Sequence, residues 1–90
     1  MTKALDDVVA ERLRQTEVEG WDKSHDDLHQ DHQLSKAAAC YACPEITVGK
    51  EYEVKYWPWD RNWWKPRSHR ENCVRAAALL LAEIERLDRM

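Results

Sequence analysis

The 90-residue sequence lacks the features that would place it in a membrane, an export pathway or a disulfide scaffold. No apolar run approaches the roughly 20 residues of a membrane-spanning helix, and the N-terminal stretch MTKALDDVVAERLRQ is amphipathic and acidic, unlike a signal peptide. The three cysteines, Cys40, Cys43 and Cys73, are an odd number without a disulfide framework. We therefore expect a cytoplasmic protein with no membrane partner.

Cys40 and Cys43 have the CxxC spacing of redox and zinc sites. A zinc site needs two further ligands at set spacing, and a redox pair normally begins a helix. Because these two cysteines end a predicted helix, we expect them to be small buried side chains.

Charge is distributed unevenly along a chain whose length suits one domain, residues 1–90. Residues 1–45 hold ten acidic and five basic side chains, whereas residues 46–90 hold seven acidic and nine basic ones. The net charge of −3 and the short extent of the basic part argue against nucleic-acid binding, although a basic segment can attract a small anion. A core built from 90 residues is small, so we expect further burial in a homo-oligomer.

Two stretches in the first half of the chain have the apolar periodicity of α-helices. The first, residues 3–18, has apolar side chains at spacings of three and four and ends before Gly20. Its apolar side chains are Leu5, Val8, Val9 and Leu13. The second, residues 32–43, follows Asp31 as a candidate N-cap and ends before Pro44.

The third predicted helix, residues 69–89, begins with a capping box formed by Ser68 and Glu71. Its apolar stripe consists of Val74, Ala77, Ala78, Leu81, Ile84 and Leu87. Leu79 and Leu80 widen this stripe beyond what one neighbouring helix would cover, which also favours an oligomer. The predicted fold is therefore mostly α, a three-helix domain with an insert between the second and third helices.

That insert, residues 44–67, is predicted to be a short β-ribbon followed by an irregular, tryptophan-rich part. Apolar and polar residues alternate from Ile46 to Tyr56, as in a β-strand. A turn at Gly49 would let the segments before and after it pair as two antiparallel strands. The prolines of WPWDRNWWKP then restrict the backbone of the tryptophan-rich part.

The loop of residues 20–31 contains most of the motif HDDLHQDH, which admits three interpretations. It can be a polar loop in which Asp26 or Asp27 caps a helix and the histidines are exposed. It can be a ligand-contacting loop. A helical continuation would place His25, His29 and His32 on one face, as in a site for zinc or another divalent ion.

Two further segments have side chains suited to an anionic, aromatic ligand. In ERLRQ, Arg12 could hold a phosphate or carboxylate by a planar two-point contact and Gln15 could hydrogen-bond a base or ribose edge, although a solvated helix face would look the same. In WPWDRNWWKP, tryptophan rings beside cations could stack a nucleobase and hold its phosphates, since stacking contributes about 1–3 kcal/mol per base. The same rings could instead fill the core, an oligomer interface or a partner's surface.

A family resemblance covers most of the chain. The ordered motifs ERLRQTEVEGWDKSHDDLHQDHQLSKAAACYA, WPWDRNWWKP and ENCVRAAALLLAEIERLDR resemble a family of small proteins carried by bacteriophages and prophages. The first and last blocks also resemble, more distantly, the MazG-like all-α nucleoside triphosphate pyrophosphohydrolases, which implies a helical scaffold and a nucleotide-shaped pocket.

Those enzymes hold Mg²⁺ with a Glu-Glu-x-x-Glu run on one helix and a Glu-x-x-Asp on the next, because the metal ions on a triphosphate need several carboxylate oxygens. At the place of the first run this chain has QLSKA, residues 33–37, without an acid. Glu85 and Asp88 have the second spacing but lie in the last turn of the third helix. The resemblance therefore implies the scaffold and not the catalysis.

Together these features predict an oligomeric phage or prophage protein that binds a nucleotide-like ligand without turning it over. We expect it to act in the cytoplasm of a bacterial host, without a cofactor, by sequestering a nucleotide signal of an immune system. The alternatives are an inhibitor that contacts a host defence complex and a divergent nucleotide hydrolase. No catalytic residue is predicted, and the predicted ligand-binding residues are Arg12, Gln15, Trp21, His25, Asp26, Asp27, His29, Trp57, Trp59, Arg61, Trp63, Trp64, Lys65 and Arg67.

Overall fold

Helices make up most of the part of the chain that the structure, a computed structural model, describes, namely residues 2–47 and 56–90. The α-helices are α1 (Lys3–Glu17), α2 (Lys23–Asp27), α3 (Gln33–Ala42), α4 (Pro44–Thr47) and α5 (His69–Asp88), and a 3₁₀ helix spans Arg61–Trp63. The mostly α prediction is confirmed. Within the described residues, no helix combines the length and the hydropathy needed to cross a bilayer.

The long helix α5 is the centre of the fold and packs against α1, α2 and α3. It runs antiparallel to α3, because Ser35 near the start of α3 meets Glu83 near the end of α5. Four of the seven residues in the main core cluster are alanines, and small side chains let helix axes approach closely. The cluster comprises Leu34, Ala37, Ala38, Tyr41, Ala76, Leu79 and Ala82.

Local hydrogen bonds at the helix starts explain where α1 and α5 begin. The Thr2 hydroxyl accepts from the Leu5 N–H at 3.2 Å, and the Ser68 hydroxyl accepts from the Glu71 N–H at 3.2 Å. Ser68 is therefore the N-cap that the sequence predicts, and its hydroxyl also donates to the Glu71 carboxylate at 3.0 Å. After α1, Gly20 has φ +75°, which glycine adopts without steric cost.

The start of α3 differs from the prediction. Its N-cap is His32, with φ 66° and no side-chain capping bond, and not Asp31. The Asp31 N–H instead donates to the side chain of Gln33 at 2.7 Å. Part of the predicted loop of residues 20–31 is helix α2, which Asp22 caps by accepting from the His25 N–H at 3.0 Å.

The predicted ribbon lies largely outside the described residues. Pro44 begins the helical turn α4, and this turn includes Ile46, where the first strand was expected to begin. Residues 48–55, which would form most of the ribbon and its turn, are not among those that the structure describes.

Apolar periodicity locates α1 and α5 but gives their buried faces only in part. Leu5, Val9 and Leu13 of α1 are 43–52% exposed, while Gln15 is 2% exposed. On α5 the exposed apolar residues are Leu80, Ile84 and Leu87, and the buried ones are Ala76, Ala78, Leu79 and Ala82. Asn72, Glu83 and Arg86 are buried with them. Apart from Leu79, the inward positions of α5 therefore hold alanines and hydrogen-bonded polar groups, which a search for large apolar side chains passes over.

The cysteine prediction is half correct. Cys40 is buried near the end of α3, whereas Cys43, its C-cap residue, is exposed. Cys43 lies between the end of α3 and Pro44, the first residue of α4, and so outside the packed face of α3.

Candidate functional site: an aromatic cleft beside a basic chamber

Helix α2 and the turn before it orient three of the predicted ligand-binding rings. The Trp21 N–H donates to the Gln15 carbonyl at 2.9 Å, which fixes the start of the turn against α1. The Trp21 ring stacks on the His25 ring, with centroids 5.8 Å apart and planes 8° from parallel. His29, just after α2, meets His25 edge-on at 4.6 Å.

These rings form one wall of a cleft of about 310 Å³, which we call the aromatic cleft. Its lining residues are Trp21, His25, His29, Trp59, Asp60 and Trp63. Trp59 lies 5.2 Å from the His29 ring and 5.7 Å from the Trp21 ring, at tilted angles. The cleft is therefore a concave surface of half-buried rings, the kind of surface on which a flat ligand can stack. Three other grooves, two against α1 and one near the C-terminus, have no aromatic residue in their lining.

The two cleft histidines face each other. Their Nε2 atoms are 3.3 Å apart, and Nδ1 of His25 lies 3.4 Å from the Asp26 carboxylate. Burial lowers the pKa of His29, and repulsion from the neighbouring His25 ring lowers it further, so the neutral form of His29 is favoured. A neutral imidazole can donate from one nitrogen and accept at the other, which suits contacts with a base or sugar.

His32 does not join this pair. It is the exposed N-cap of α3 and lines neither the aromatic cleft nor the chamber described below. Within residues 2–47 and 56–90, no three metal-ligating side chains come together as a candidate site. The three-histidine arrangement therefore does not form in the described residues.

Arg12 and Asp26 form an ion pair with each other and line neither the aromatic cleft nor the chamber described below. Arg12 donates to Asp26 at 2.9 Å and to Glu85 at 3.0 Å, and more weakly to the Trp21 carbonyl at 3.4 Å. Asp26 is 1% exposed. Asp27, predicted beside it, is an exposed partner of Arg89 at 2.7 Å. These contacts tie α1, α2 and α5 together and position His25.

A second cavity, of about 120 Å³, adjoins the aromatic cleft, and the two share the rings of Trp21 and Trp63. We call it the basic chamber, because four cationic side chains and two carboxylates line it. Its lining residues are Glu11, Arg14, Gln15, Glu19, Trp21, Tyr41, Trp63, Lys65, Arg67, Arg75 and Leu79.

Arg14 occupies both carboxylates of the chamber. It donates to Glu11 at 2.7 and 2.8 Å and to Glu19 at 2.7 Å. Burial of the Glu11 carboxylate would raise its pKa, but the hydrogen bonds and charge of Arg14, with smaller contributions from Gln15 and Arg75, lower it overall. Glu11 is therefore ionised and committed to Arg14 at neutral pH.

The other three cations of the chamber have no carboxylate partner in the described part of the chain. The Lys65 ammonium lies 5.8 Å from the Trp63 ring centre, and the Arg75 guanidinium lies 5.6 Å from the Tyr41 ring centre. Arg75 also donates to the Lys65 carbonyl at 2.7 Å. The backbone of Arg67 is held on both sides by the Asn72 amide, at 2.7 and 3.1 Å.

The predicted tryptophans divide between the cleft and the core. Trp57 and Trp64 pack against Tyr41 at 5.5 and 5.0 Å and do not line the cleft. Trp59 belongs to both groups, because it lines the cleft and also contacts Trp57 at 5.3 Å. Its Nε1 is buried and has no acceptor among the described residues.

Sequence reasoning missed several residues of this site. Arg75, Arg14, Glu11 and Glu19 line the chamber, and Asp60 lines the cleft. The available signal was a set of polar residues on the inward faces of two amphipathic helices, at Glu11, Gln15 and Arg75. Arg61, in contrast, was predicted and lines neither cavity. Comparison of the chain with protein-family models, with curated proteins and with solved structures finds no match.

Proposed function

We propose that the protein binds a nucleotide-like ligand across the aromatic cleft and the basic chamber, and releases it unchanged. The observation that carries this proposal is that Trp21 and Trp63 line both cavities, so stackable rings lie next to cations that have no carboxylate within ion-pair distance in the described residues. A ligand with a flat base and an anionic group needs this combination, because stacking holds the base and cations hold the anion.

Each part of the ligand has candidate partners. The base would stack on Trp21, Trp59 or Trp63, with His25 and His29 as hydrogen-bonding groups at its edge. Trp63 is the most accessible of these rings, at 47% exposed. The anionic part would meet the cations of the chamber, among which Lys65 and Arg67 were predicted from the sequence.

Binding without turnover is supported by the engagement of the nearby carboxylates. Metal-assisted hydrolysis of a nucleotide needs carboxylate oxygens free to hold hard cations. Around the two cavities, Glu11 and Glu19 are bound by Arg14, and Asp26 is bound by Arg12. The remaining carboxylate, Asp60 of the cleft, accepts from the Asn62 N–H at 2.8 Å, and a single carboxylate is fewer than a metal-bound triphosphate needs. Residues 33–37 provide no acid either.

The biological use that we propose is sequestration of a nucleotide signal of a bacterial immune system by a phage or prophage. It rests on the resemblance to phage and prophage proteins together with a site suited to binding and not to hydrolysis. The alternative, an inhibitor that acts by protein contact, predicts a convex and exposed tryptophan surface. Trp21, Trp59 and Trp63 instead line a concave one, which favours a small ligand.

Calorimetry and tryptophan fluorescence with a panel of nucleosides, nucleotides and cyclic oligonucleotides test the proposal. We expect at least one member to bind, to quench the fluorescence and to be recovered intact by chromatography. Trp63→Ala should abolish binding while the fold is retained, and Arg61→Ala serves as a control outside both cavities. The proposal fails if the folded protein binds no member of the panel, and the hydrolase alternative gains if the ligand is recovered cleaved.

We also propose that a second copy of the chain covers the exposed apolar residues of α1 and α5. Leu5, Val9 and Leu13 on α1 and Leu80, Ile84 and Leu87 on α5 are each 43–54% exposed, which is much apolar surface for a chain of this size. Light scattering should give a dimer or larger species, and Ile84→Glu or Leu13→Glu should shift it to monomer, unlike Lys36→Glu on α3. A monomer at all concentrations would remove the proposal and favour a host protein as the occupant of this surface.

A further inference from the structure

We propose that the basic chamber takes one phosphate group, so that the ligand has a single phosphate on each sugar, as in a nucleoside monophosphate or a phosphodiester-linked oligonucleotide, and not a diphosphate or triphosphate chain. This inference rests on the proposed function, since it assumes that the base of the ligand lies in the aromatic cleft.

The charge balance of the chamber supports an anionic occupant. Its two carboxylates are both bound by Arg14, and the four cations and two carboxylates of the lining together give the chamber a net charge of +2. Lys65, Arg67 and Arg75 are left without a carboxylate partner in residues 2–47 and 56–90. Cations gathered around a small cavity favour an anion, and arginine binds phosphate oxygens with paired, charge-assisted hydrogen bonds.

The size and charge of the chamber limit that anion. The chamber is the smaller of the two cavities, at about 120 Å³ against about 310 Å³ for the aromatic cleft. One phosphate carries a charge of about −1 to −2, which the net charge of +2 balances. Each further phosphate would add negative charge beside Glu11 and Glu19, which line the same chamber and would repel it.

The polar groups on the chamber walls are suited to a phosphate attached to a sugar. Gln15 lines the chamber, is 2% exposed, and donates from Nε2 to Glu11 at 3.1 Å. Its Oε1 is buried and has no donor in the part of the chain that the structure describes. A buried acceptor without a donor is costly, and a ribose hydroxyl next to the phosphate would supply the missing hydrogen bond.

Arg67 is held at the chamber before any ligand arrives. The buried amide of Asn72 accepts from the Arg67 N–H and donates to the Arg67 carbonyl, so the backbone of this residue is fixed at the start of α5. The exposed Arg67 side chain makes no hydrogen bond within the described residues that removal would break, so Arg67→Ala should fold normally.

The test compares adenosine, AMP, ADP and ATP, the corresponding guanosine series, and an adenosine dinucleotide joined by a phosphodiester. Calorimetry should show that a monophosphate or the phosphodiester binds roughly ten- to a hundredfold more tightly than its nucleoside, which is the contribution expected of one or two charge-assisted contacts. Diphosphates and triphosphates should bind no more tightly than the monophosphate. The monoester and the phosphodiester arms show which form of the phosphate the chamber prefers.

Arg67→Ala and Lys65→Ala should remove most of this phosphate-dependent gain and leave nucleoside affinity unchanged, whereas Arg61→Ala should keep the gain. If the nucleoside binds as tightly as its monophosphate, or if the triphosphate binds most tightly, the single-phosphate inference is wrong while base binding in the cleft stands. If no nucleoside or nucleotide binds, the proposed function is lost as well.

Discussion

The ion pair between Arg12 and Asp26 gives a sharp test of how this small fold is held together. The pair joins α1 to α2 at 2.9 Å, with Asp26 almost fully buried, and Arg12 reaches on to Glu85 of α5. We predict that Arg12→Leu lowers the free energy of unfolding by about 3–5 kcal/mol, because it leaves the Asp26 charge buried without its partner.

This loss would be a large share of the total free energy of unfolding of the protein. A 90-residue domain has a free energy of unfolding of about 5–13 kcal/mol. Each 1 kcal/mol lowers the Tm of such a domain by about 4–8 °C, so a loss of 3 kcal/mol corresponds to a drop of about 12–24 °C. Urea denaturation followed by tryptophan fluorescence measures the change directly, because Trp21 and the other rings pack on this part of the fold.

A second variant distinguishes the effect of an unpaired buried charge from the effect of lost side-chain packing. Arg12→Leu/Asp26→Leu removes both charges, and we expect it to be more stable than Arg12→Leu alone, since no buried charge is left unpaired. The reasoning is refuted if Arg12→Leu unfolds within 0.5 kcal/mol of the unmodified protein, or if the two substitutions are additive. Additivity would mean that the charges do not act on each other.

Three smaller effects are expected in the same assay. Ser68→Ala should cost about 1 kcal/mol through loss of the α5 N-cap, and Glu71→Ala, which keeps that cap, should cost less. Trp64→Ala should cost about 2–3 kcal/mol, below the figure for a fully buried tryptophan, whereas Trp63→Ala should cost less because its ring is more exposed. Because the pKa of His29 is lowered in the folded protein, the unfolded chain binds a proton at this residue at a higher pH than the folded protein does. The stabilising contribution of neutral His29 is therefore present above pH 6.5 and declines below it. Comparison of pH 7.5 with pH 5.5 should show this decline, and His29→Gln should reduce it; an equal decline in the variant would assign it to other groups.

The three long helices could be predicted from the sequence, but the buried faces of α1 and α5 could be predicted only in part. Residues 69–89 contain enough large apolar side chains that a helix is the evident choice, yet Ile84 and Leu87 face outward in the structure. The inward positions carry Ala76, Ala82 and polar residues such as Glu83, whose burial is possible because Arg86 donates to it at 2.6 Å. Periodicity analysis assumes that the largest apolar stripe is the buried one, and a core of close-packed alanines breaks that assumption.

The site was predictable in its chemistry and not in its assembly. Trp21, His25 and His29 are near one another in the chain, and the sequence indicates a polar, aromatic contact surface there. Their contact with Trp59 and Trp63 depends on how the tryptophan-rich segment folds back over α3, a long-range arrangement that residue types alone do not encode. Arg12 shows the converse, because a residue type suited to phosphate is used between two carboxylates.

The clustering of four tryptophans in residues 57–64 follows from a single turn. Asp60 accepts from the Asn62 N–H at 2.8 Å and so starts the 3₁₀ helix, while its carbonyl accepts from Trp57 Nε1 at 3.0 Å. The chain therefore reverses at Asp60, and Trp57 and Trp64 meet at 5.0 Å on the side of Tyr41, while Trp59 and Trp63 line the cleft. Trp57 and Trp64 anchor the segment to the core, and this anchoring fixes the position of Trp59 and Trp63 at the cleft.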